Sequence, residues 1–209
     1  MNSLWDRFVD IENFHKAWDK VASNQGCAGS DRQTIRDFSS GLDRRLNTLR
    51  KHVINDTYRP LPLRQIWIPK SKTAWRELRV PTVSDRVVQQ AMLNILHEII
   101  EPQFSPNSYA YRPGRSHLMA VRKVETLHKR GYEWVLDADI VKFFDNLAHP
   151  RLYDEVTERL HQQRYLELIE RWVSSSLLTK AGLIFPDKGV PQGAVITPPT
   201  MLQTILTLL

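Results

Sequence analysis

The sequence predicts a mixed α+β fold, in which amphipathic helices supply most of the core and a few short strands lie between them. In several segments apolar residues recur every three or four positions, which is the spacing of one helix face. Residues 134–140 instead alternate with a period of two, as strands do. The 209 residues are 42% hydrophobic and 25% charged. These values are typical of a globular chain with one core or one and a half domains.

The N-terminal region predicts two helices separated by a loop. Phe14, Trp18 and Val21 have helical spacing and predict a short helix, and a glycine-rich loop follows at residues 25–31. Residues 38–53 predict one continuous amphipathic helix. Its apolar stripe consists of Phe38, Leu42, Leu46, Leu49 and Val53.

A basic hairpin is predicted next. Residues 63–69 and 77–80 have the composition of two paired strands, and the connection between them contains Lys70 and Lys72. Arg76 immediately precedes the second strand. The tip of this hairpin therefore concentrates positive charge.

A long helix is predicted after the hairpin. It begins at a cap formed by Ser84 and Asp85, and Pro102 ends it. Two adjacent apolar stripes contain Val87, Ala91, Ile95 and Ile99, and Val88, Met92 and Leu96.

The second half predicts one strand among helices. A helix from Ser116 to Arg130 is closed by Gly131, and the strand Trp134–Ile140 follows. Two more helices, the first beginning near Pro150, precede a turn-rich segment at residues 182–193. The first is predicted to face inward with Leu152, Val156 and Leu160, and the second contains Tyr165, Leu168, Ile169 and Trp172.

Charge and cysteine content restrict the class of partner and the compartment. The chain has 29 Lys and Arg against 23 Asp and Glu, a formal net charge of +6, which favours a polyanionic partner. The single cysteine, Cys27, excludes an internal disulfide framework and a thiolate metal cluster. The polar N-terminus and the absence of an apolar run of about 18 residues predict a cytoplasmic protein with no membrane partner.

Asp139 is the first candidate for chemistry. It ends the apolar strand predicted at residues 134–140, and two aromatic residues, Phe143 and Phe144, follow closely. Carboxylate oxygens are suitable ligands for Mg²⁺, and nucleotidyl transfer uses two such ions. An isolated Asp at a strand end is more often a turn residue or a helix cap, so its assignment depends on the surrounding motifs.

Five motifs in a fixed order resemble the bacterial group II intron reverse transcriptase/maturase family, and CRISPR-associated reverse transcriptases share much of the pattern. The resemblance covers roughly residues 10–198. The motifs are Arg76-x-Leu78-x-Val-Pro81-Thr, Asp85-Arg86-Val-Val-Gln89-Gln-Ala, Ser108-Tyr-Ala-Tyr111-Arg112-Pro113-Gly114-Arg115-Ser116, Ala138-Asp139-Ile-x-x-Phe143-Phe144-Asp145 and Gly189-Val-Pro-Gln192-Gly193. The resemblance implies an RNA-directed DNA polymerase, a nucleotidyltransferase with a right-hand fold, of which this chain holds the fingers and part of the palm.

The resemblance implies a metal site and a sugar gate. Asp139 binds two Mg²⁺ ions through its side chain, and Ile140 binds one through its carbonyl. Phe144 packs against the sugar of the incoming nucleotide and excludes a 2′-hydroxyl, a role compatible with core packing. Asp145 is either an accessory acid or a helix N-cap, and Asp137 is expected to form an ion pair rather than to act in catalysis.

The remaining site residues are implied to bind nucleotide or nucleic acid. Lys70 and Arg76 hold the triphosphate, as a point charge and a forked donor respectively, and the alternative is a solvated basic hairpin. Gln192 contacts the nucleotide or the template near the sugar. The implied nucleic-acid ligands are Arg86, Arg112 and Arg115, of which Arg86, together with Gln89, has an alternative role in pinning the fingers to the palm.

The chain departs from the family pattern after Gly193, and the resemblance ends near Pro198. The Tyr-x-Asp-Asp hairpin that supplies the other metal-binding carboxylates is missing, and no acidic residue follows Asp187. We therefore expect residues 1–115 to form the N-terminal extension and fingers, and residues 116–209 a truncated palm without thumb, maturase or endonuclease domains. A frameshift or premature stop is the expected origin, and an out-of-frame Tyr-Ala-Asp-Asp coding stretch after codon 198 would support it.

Three functions remain open from the sequence. The first is a reverse transcriptase by family whose isolated chain is inactive until a partner chain completes the palm. The second is a non-catalytic module that binds intron RNA, and the third is a degenerate remnant of an intron-encoded protein. The first implies an RNA template or intron RNA, a DNA primer and a dNTP as partners.

Overall fold

A computed structural model describes residues 3–159 and 162–195. Its N-terminal elements are α1 (Leu4–Phe8), α2 (Ile11–Ser23), α3 (Ile35–Ser39), α4 (Leu42–Ile54), β1 (Leu63–Pro69), β2 (Trp75–Val80) and α5 (Val83–Ile100). A 3₁₀ turn at Glu101–Gln103 follows α5. The later elements are α6 (His117–Lys129), α7 (Phe143–Asn146), α8 (His149–Arg159), α9 (Gln163–Val173), β3 (Leu177–Thr179) and β4 (Gly182–Ile184).

The strands form one small sheet in the order β2–β1–β3–β4. β1 and β2 pair antiparallel, with Ile68 opposite Arg76, and this confirms the predicted hairpin. β1 also pairs in parallel with β3, which continues into β4. The sequence prediction missed β3 and β4, because strands of three residues are too short to show a periodicity.

Helix α5 forms the centre of the hydrophobic core. Val87, Val88, Ala91 and Met92 have no exposed surface, and both predicted apolar stripes face inward apart from Ile99, which is half-buried. Burying a side chain of this size contributes about 1.5–3 kcal/mol. These contacts make α5 the support on which the hairpin and the later elements rest.

Two helix boundaries differ from the prediction. Thr82, rather than Ser84 with Asp85, caps α5: its hydroxyl accepts a hydrogen bond from the backbone N–H of Asp85 and donates one to that carboxylate. The helix predicted over residues 38–53 is two helices, α3 and α4. Gly41, with φ of +72°, lies between them in the left-handed region and ends the helical path.

A buried polar node connects three parts of the fold. The Tyr58 hydroxyl donates to the Asp85 carboxylate at 2.6 Å and accepts from the Trp172 indole at 3.0 Å. Burial raises the pKa of Asp85, and hydrogen bonds from Tyr58 and Thr82 oppose this rise. Burial likewise raises the pKa of Tyr58. The node fixes α9 and the segment before β1 to the first turn of α5.

The strand predicted at Trp134–Ile140 is wrong. Residues 133–140 contain no strand and no helix, and the side chains of Trp134 and Leu136 are 97% and 92% exposed. A strand needs a neighbour to pair its backbone N–H and C=O groups, and within residues 3–159 and 162–195 the four strands pair only with one another. Residues 134–140 alternate as a strand would, but they have no pairing partner in the described part of the chain.

The helices of the second half follow the prediction closely. α6 and α9 lie where they were expected, and α8 begins at His149, one residue before Pro150. Leu152 is buried, and so are the four residues named for α9, which are Tyr165, Leu168, Ile169 and Trp172. The Val156 side chain and Leu160 lie outside the described residues. No helix in the described ranges is both long and apolar enough to cross a membrane.

Candidate functional site

The loop at residues 189–193 lies against the turn that follows Phe144. The Val190 N–H donates to the Phe144 carbonyl, and the Gly189 N–H donates to the Leu147 carbonyl, both at 2.8 Å. On the other side, Nε2 of the buried His149 donates to the Gly189 carbonyl at 2.7 Å. Two motifs that are 45 positions apart in the sequence are thereby held in direct contact.

The same loop is also attached to the hairpin and to α5. The Arg79 N–H, on the outer edge of β2, donates to the Gln192 carbonyl at 2.9 Å. The buried Gln89 side chain accepts a hydrogen bond from the Val195 N–H at 3.1 Å. Gln89 therefore connects α5 to this loop, which agrees with its predicted alternative role in pinning the fingers to the palm.

Gly189 is required by this arrangement. Its φ is +81°, and a Cβ added there would lie 2.9 Å from the carbonyl oxygens of Phe144 and Asp145. These backbone atoms leave no room for a side chain, so the close approach of loop and turn depends on glycine.

We expect Gly189→Ala to lower the free energy of unfolding by about 2–3 kcal/mol, because it adds a steric conflict with two carbonyls to an unfavourable backbone conformation. Urea denaturation followed by circular dichroism measures this loss. Gly131→Ala is the matched control, since Gly131 has φ of +92° but nothing within 4 Å of the added Cβ, and it should lose only about 1 kcal/mol. Equal losses in the two variants would contradict the proposed contact.

Phe144 and Asp145 lie on α7, beside the loop. Phe144 is half-buried and packs against the hydrophobic core, with an edge contact to Phe143 at 6.1 Å. Its predicted packing role is confirmed, and its role as a sugar gate stays a prediction. Asp145 is not a helix N-cap, because Lys142 holds that position. Its carboxylate instead lies 3.9 Å from the Arg79 guanidinium.

Lys70 and Arg76 lie together at the tip of the hairpin. Ile68 pairs with Arg76, and the Lys70 N–H donates to the Ala74 carbonyl at 2.8 Å, which extends the ladder by one more pair. Alternation along β1 then places Lys70 on the same face as Arg76. Both side chains are exposed. Two cations on one face of an exposed hairpin are well placed to meet a phosphate group.

Asp139 and Ile140 do not form a metal site in this structure. Both are exposed and lie in the extended segment after α6, as does Asp137. The described residues contain no group of three or more His, Cys, Asp or Glu that could hold a metal ion. The residues present therefore do not fit a two-ion centre, and the metal-binding roles predicted for Asp139 and Ile140 remain predictions.

The three predicted nucleic-acid ligands have different environments. The buried Arg86 donates to the Cys27 carbonyl at 2.7 Å, which favours its structural alternative. Arg112 is also buried and is bound by Glu101 at 2.7 Å. Arg115 is half-buried, donates to the Pro106 carbonyl and lies over the ring of Tyr109. Arg115 is therefore the most accessible of the three for a phosphate.

Sequence reasoning missed two residues of this site. Arg79 connects β2 to Gln192 and Asp145, and His149 holds Gly189. In the hairpin Arg79 pairs directly with Gln65, a register that the sequence pattern does not give. No comparable signal identifies His149, since its partner is a backbone carbonyl 40 residues away.

The arrangement of fold and site matches a known class of protein. A family model described as reverse transcriptase (RNA-dependent DNA polymerase) matches residues 68–209. The chain therefore belongs to the reverse transcriptase family, whose fold is that of a right-hand polymerase.

Curated relatives assign it more narrowly to the group II intron type. Protein YkfC of Escherichia coli is 35% identical over 158 residues, which are 73% of this chain and 41% of the relative. The group II intron-encoded protein LtrA of Lactococcus lactis is 27% identical over 187 residues, covering 88% of this chain and 31% of that protein. The chain thus spans less than half the length of these relatives.

A solved structure shows the same fold. The chain superimposes with a TM-score of 0.66 on a chain of the partial Cas6-RT-Cas1–Cas2 complex, at 22% identity, covering 99% of this chain and 34% of the other. This likeness supports the mixed α/β fold.

Proposed function

We propose that this chain is the nucleotide- and template-binding part of an RNA-directed DNA polymerase of the group II intron type. The observation that carries the proposal is the attachment of the 189–193 loop to both the base of the basic hairpin and the turn after Phe144. This loop joins a cationic surface for phosphate to an aromatic side chain and an amide. The cations can form charge-assisted hydrogen bonds with the phosphates of a nucleoside triphosphate, and the ring and the amide are available for its sugar and base.

Each group has a distinct part in the proposal. Lys70 and Arg76 neutralise the triphosphate, because exposed cations on one face of the hairpin form charge-assisted hydrogen bonds with its oxygens. Phe144 contacts the sugar and disfavours a 2′-hydroxyl. Gln192, whose carbonyl is fixed by Arg79, is left with its side-chain amide to contact the nucleotide or the template.

Polymerisation itself needs more carboxylates than the described residues bring to Asp139. Reverse transcriptases as a family use divalent metals, and the proposal places two Mg²⁺ ions in the complete site. A further segment or a partner chain supplies the missing ligands beside Asp139. Residues 1–115 then act as extension and fingers, and residues 116–209 as part of the palm.

The positive charge of the chain supports an RNA template or intron RNA, with a DNA primer, as the partner. A net charge of +6 favours phosphate-dominated binding that weakens with salt. Arg115 is a candidate template contact. A cytoplasmic location, where such substrates are available, is part of the same proposal.

Nucleotide binding tests the proposal directly. We expect the double variant Lys70→Gln/Arg76→Gln to weaken dGTP binding at least tenfold, measured by ³¹P NMR titration in buffer with Mg²⁺, because two charge-assisted contacts are lost. Lys16→Gln/Lys180→Gln removes the same charge from exposed lysines on other elements and should leave the affinity unchanged. In the same assay Phe144→Ala should abolish any preference for dGTP over GTP.

Two results would contradict the proposal. Equal weakening by both double variants would show that only overall charge matters. RNA binding without any measurable nucleotide binding would favour the non-catalytic RNA-binding module instead.

A further inference from the structure

Arg79 contacts two elements that carry candidates for nucleotide binding. Its backbone N–H donates to the carbonyl of Gln192, in the 189–193 loop, at 2.9 Å. Its guanidinium lies 3.9 Å from the carboxylate of Asp145, the residue that follows Phe144 on α7. The Arg79 side chain is only 18% exposed, and the residue is the last but one of β2. Both contacts therefore lie at the base of the hairpin, away from its tip.

A second carboxylate orients this guanidinium. Nε of Arg79 lies 3.5 Å from Oε1 of Glu77, which is two residues earlier and therefore on the same face of β2. The same Glu77 oxygen accepts a hydrogen bond from the Gln65 amide at 3.2 Å, and Gln65 is the residue directly opposite Arg79 on β1. Polar side chains of both strands thus surround Arg79. A planar guanidinium can serve two carboxylates in this way, whereas a lysine ammonium is a single point charge.

Helix α7 depends on such contacts for its position. It has four residues, and its N-cap, Lys142, makes no side-chain cap hydrogen bond. A single helical turn is unstable in isolation, so its orientation is set by the elements around it. The backbone bonds from Gly189 and Val190 attach it to the 189–193 loop, and Asp145 attaches it to the hairpin through Arg79.

Arg79 is separate from the candidate phosphate ligands. Three positions lie between it and Arg76, about 10 Å along the strand, and strand alternation puts the two side chains on opposite faces. The Arg79 guanidinium is therefore not a further ligand for the triphosphate. It connects the edge of β2, to which the 189–193 loop is bonded, with the turn that carries Phe144.

We propose that Arg79 is a positioning residue that fixes Phe144 relative to the hairpin, and that it thereby sets the preference for deoxyribose over ribose. This role rests on the proposed function, in which Lys70 and Arg76 hold the phosphates and Phe144 contacts the sugar. Excluding one hydroxyl requires the aromatic ring to be held to within about 0.5 Å. The contact between Arg79 and Asp145 supplies that constraint from the side of the hairpin.

The test compares dGTP, GTP and inorganic tripolyphosphate as ligands of the full 209-residue chain, by ³¹P NMR titration in buffer with Mg²⁺. Arg79→Met removes the charge of the side chain but leaves the backbone bond to Gln192 in place. We expect the ratio of dGTP affinity to GTP affinity to fall about threefold to fivefold, the equivalent of one partly exposed ion pair. Tripolyphosphate has no sugar and should bind within roughly twofold of the wild-type affinity, because solvent ions screen a charge at this distance.

Further variants show whether Arg79 acts through Asp145. Asp145→Asn should lower the affinity ratio by the same factor, and Arg79→Met/Asp145→Asn should lower it no further, since each change breaks the same contact. Arg79→Lys keeps the charge and should recover part of the preference. Arg64→Met is the matched control, because the exposed Arg64 of β1 donates to the Ala28 carbonyl, and it should leave the ratio unchanged. The Asp145 side chain is 53% exposed, so Asp145→Asn provides the same test if Arg79→Met does not fold.

The outcomes separate this role from the proposed function. A wild-type affinity ratio in Arg79→Met, with the variant shown to be folded by circular dichroism, overturns the positioning role alone. An equal fall in Arg64→Met also overturns it, because overall charge would be the cause, as do additive losses in the double variant. Equal weakening of all three ligands by Arg79→Met overturns it too, because general destabilisation would explain the loss. A wild-type chain that binds no dGTP, or binds dGTP and GTP equally, contradicts the proposed function and the positioning role together.

Discussion

The 209-residue chain alone is expected to give no primer extension on an RNA template with Mg²⁺, and Asp139→Ala should behave in the same way. Asp139 lies in an exposed segment without regular secondary structure, and the described residues contain no group of three or more His, Cys, Asp or Glu that could hold a metal ion. A divalent ion held by one exposed carboxylate has too few protein ligands to orient a reaction. Gel analysis of a labelled DNA primer measures the result.

Addition of a polypeptide that contains the missing carboxylate hairpin of a group II intron reverse transcriptase should produce extension. In that complex Asp139→Ala should reduce the rate at least about 10²–10³-fold, a loss typical of removing one group that stabilises transition-state charge. Asp137→Ala is the matched control, because Asp137 is equally exposed and lies two residues away, and it should retain activity. Extension by the chain alone that disappears in Asp139→Ala would contradict this prediction and show that a working site containing Asp139 is completed without the added polypeptide.

The same segment shows where sequence reasoning reaches its limit. The hairpin and α5 were predictable because their signals are local: paired strands with a short connection, and apolar residues repeating at helical spacing. The alternation at residues 134–140 is just as clear, but a strand also needs a neighbour, and that neighbour is not among the described residues. Val121 and Val124 on the preceding helix, α6, are exposed apolar residues as well.

The candidate site was only partly predictable for a related reason. The motif resemblance identified Phe144 and Gln192, but no local pattern indicates that the loop before Gln192 would bond to the turn after Phe144. That contact depends on Gly189, whose backbone approaches two carbonyls closely. The Thr82 cap could have been predicted from the sequence, since Thr82 and Asp85 have the spacing of a capping motif. The adjacent Ser84 is also a common cap residue, and it was chosen instead.

Arg112 is a basic residue of a motif predicted to bind nucleic acid, and the structure places its side chain inside the protein. Its guanidinium donates to the Glu101 carboxylate and to the carbonyls of Ser105 and Ser108, and it lies over the ring of Phe104 at 5.2 Å. Only 5% of its side chain is exposed. The Arg112 guanidinium thus holds together the turn that follows α5.

Arg112→Met is therefore expected to lower the free energy of unfolding by about 3 kcal/mol, because it leaves a carboxylate and two carbonyls without their donor. Arg112→Lys should recover little of the lost free energy of unfolding, since one ammonium group cannot reproduce the contacts of the planar guanidinium. Arg115→Met is the matched control in the same turn. It removes one carbonyl contact and one ring contact, and it should lose at most about 1 kcal/mol in urea denaturation.

The pH dependence of the stability lost in Arg112→Met gives a second measurement. The hydrogen bond from Arg112 lowers the pKa of Glu101, so the stabilisation from the pair is present above the unfolded pKa of Glu101 and is lost as the pH falls through its folded pKa. The difference between wild type and Arg112→Met should therefore narrow under acid conditions. Arg112→Met could instead keep the wild-type stability and reduce the slope of log RNA affinity against log salt concentration by about 1. In that case Arg112 would be a template contact, and the internal role assigned to it would be wrong.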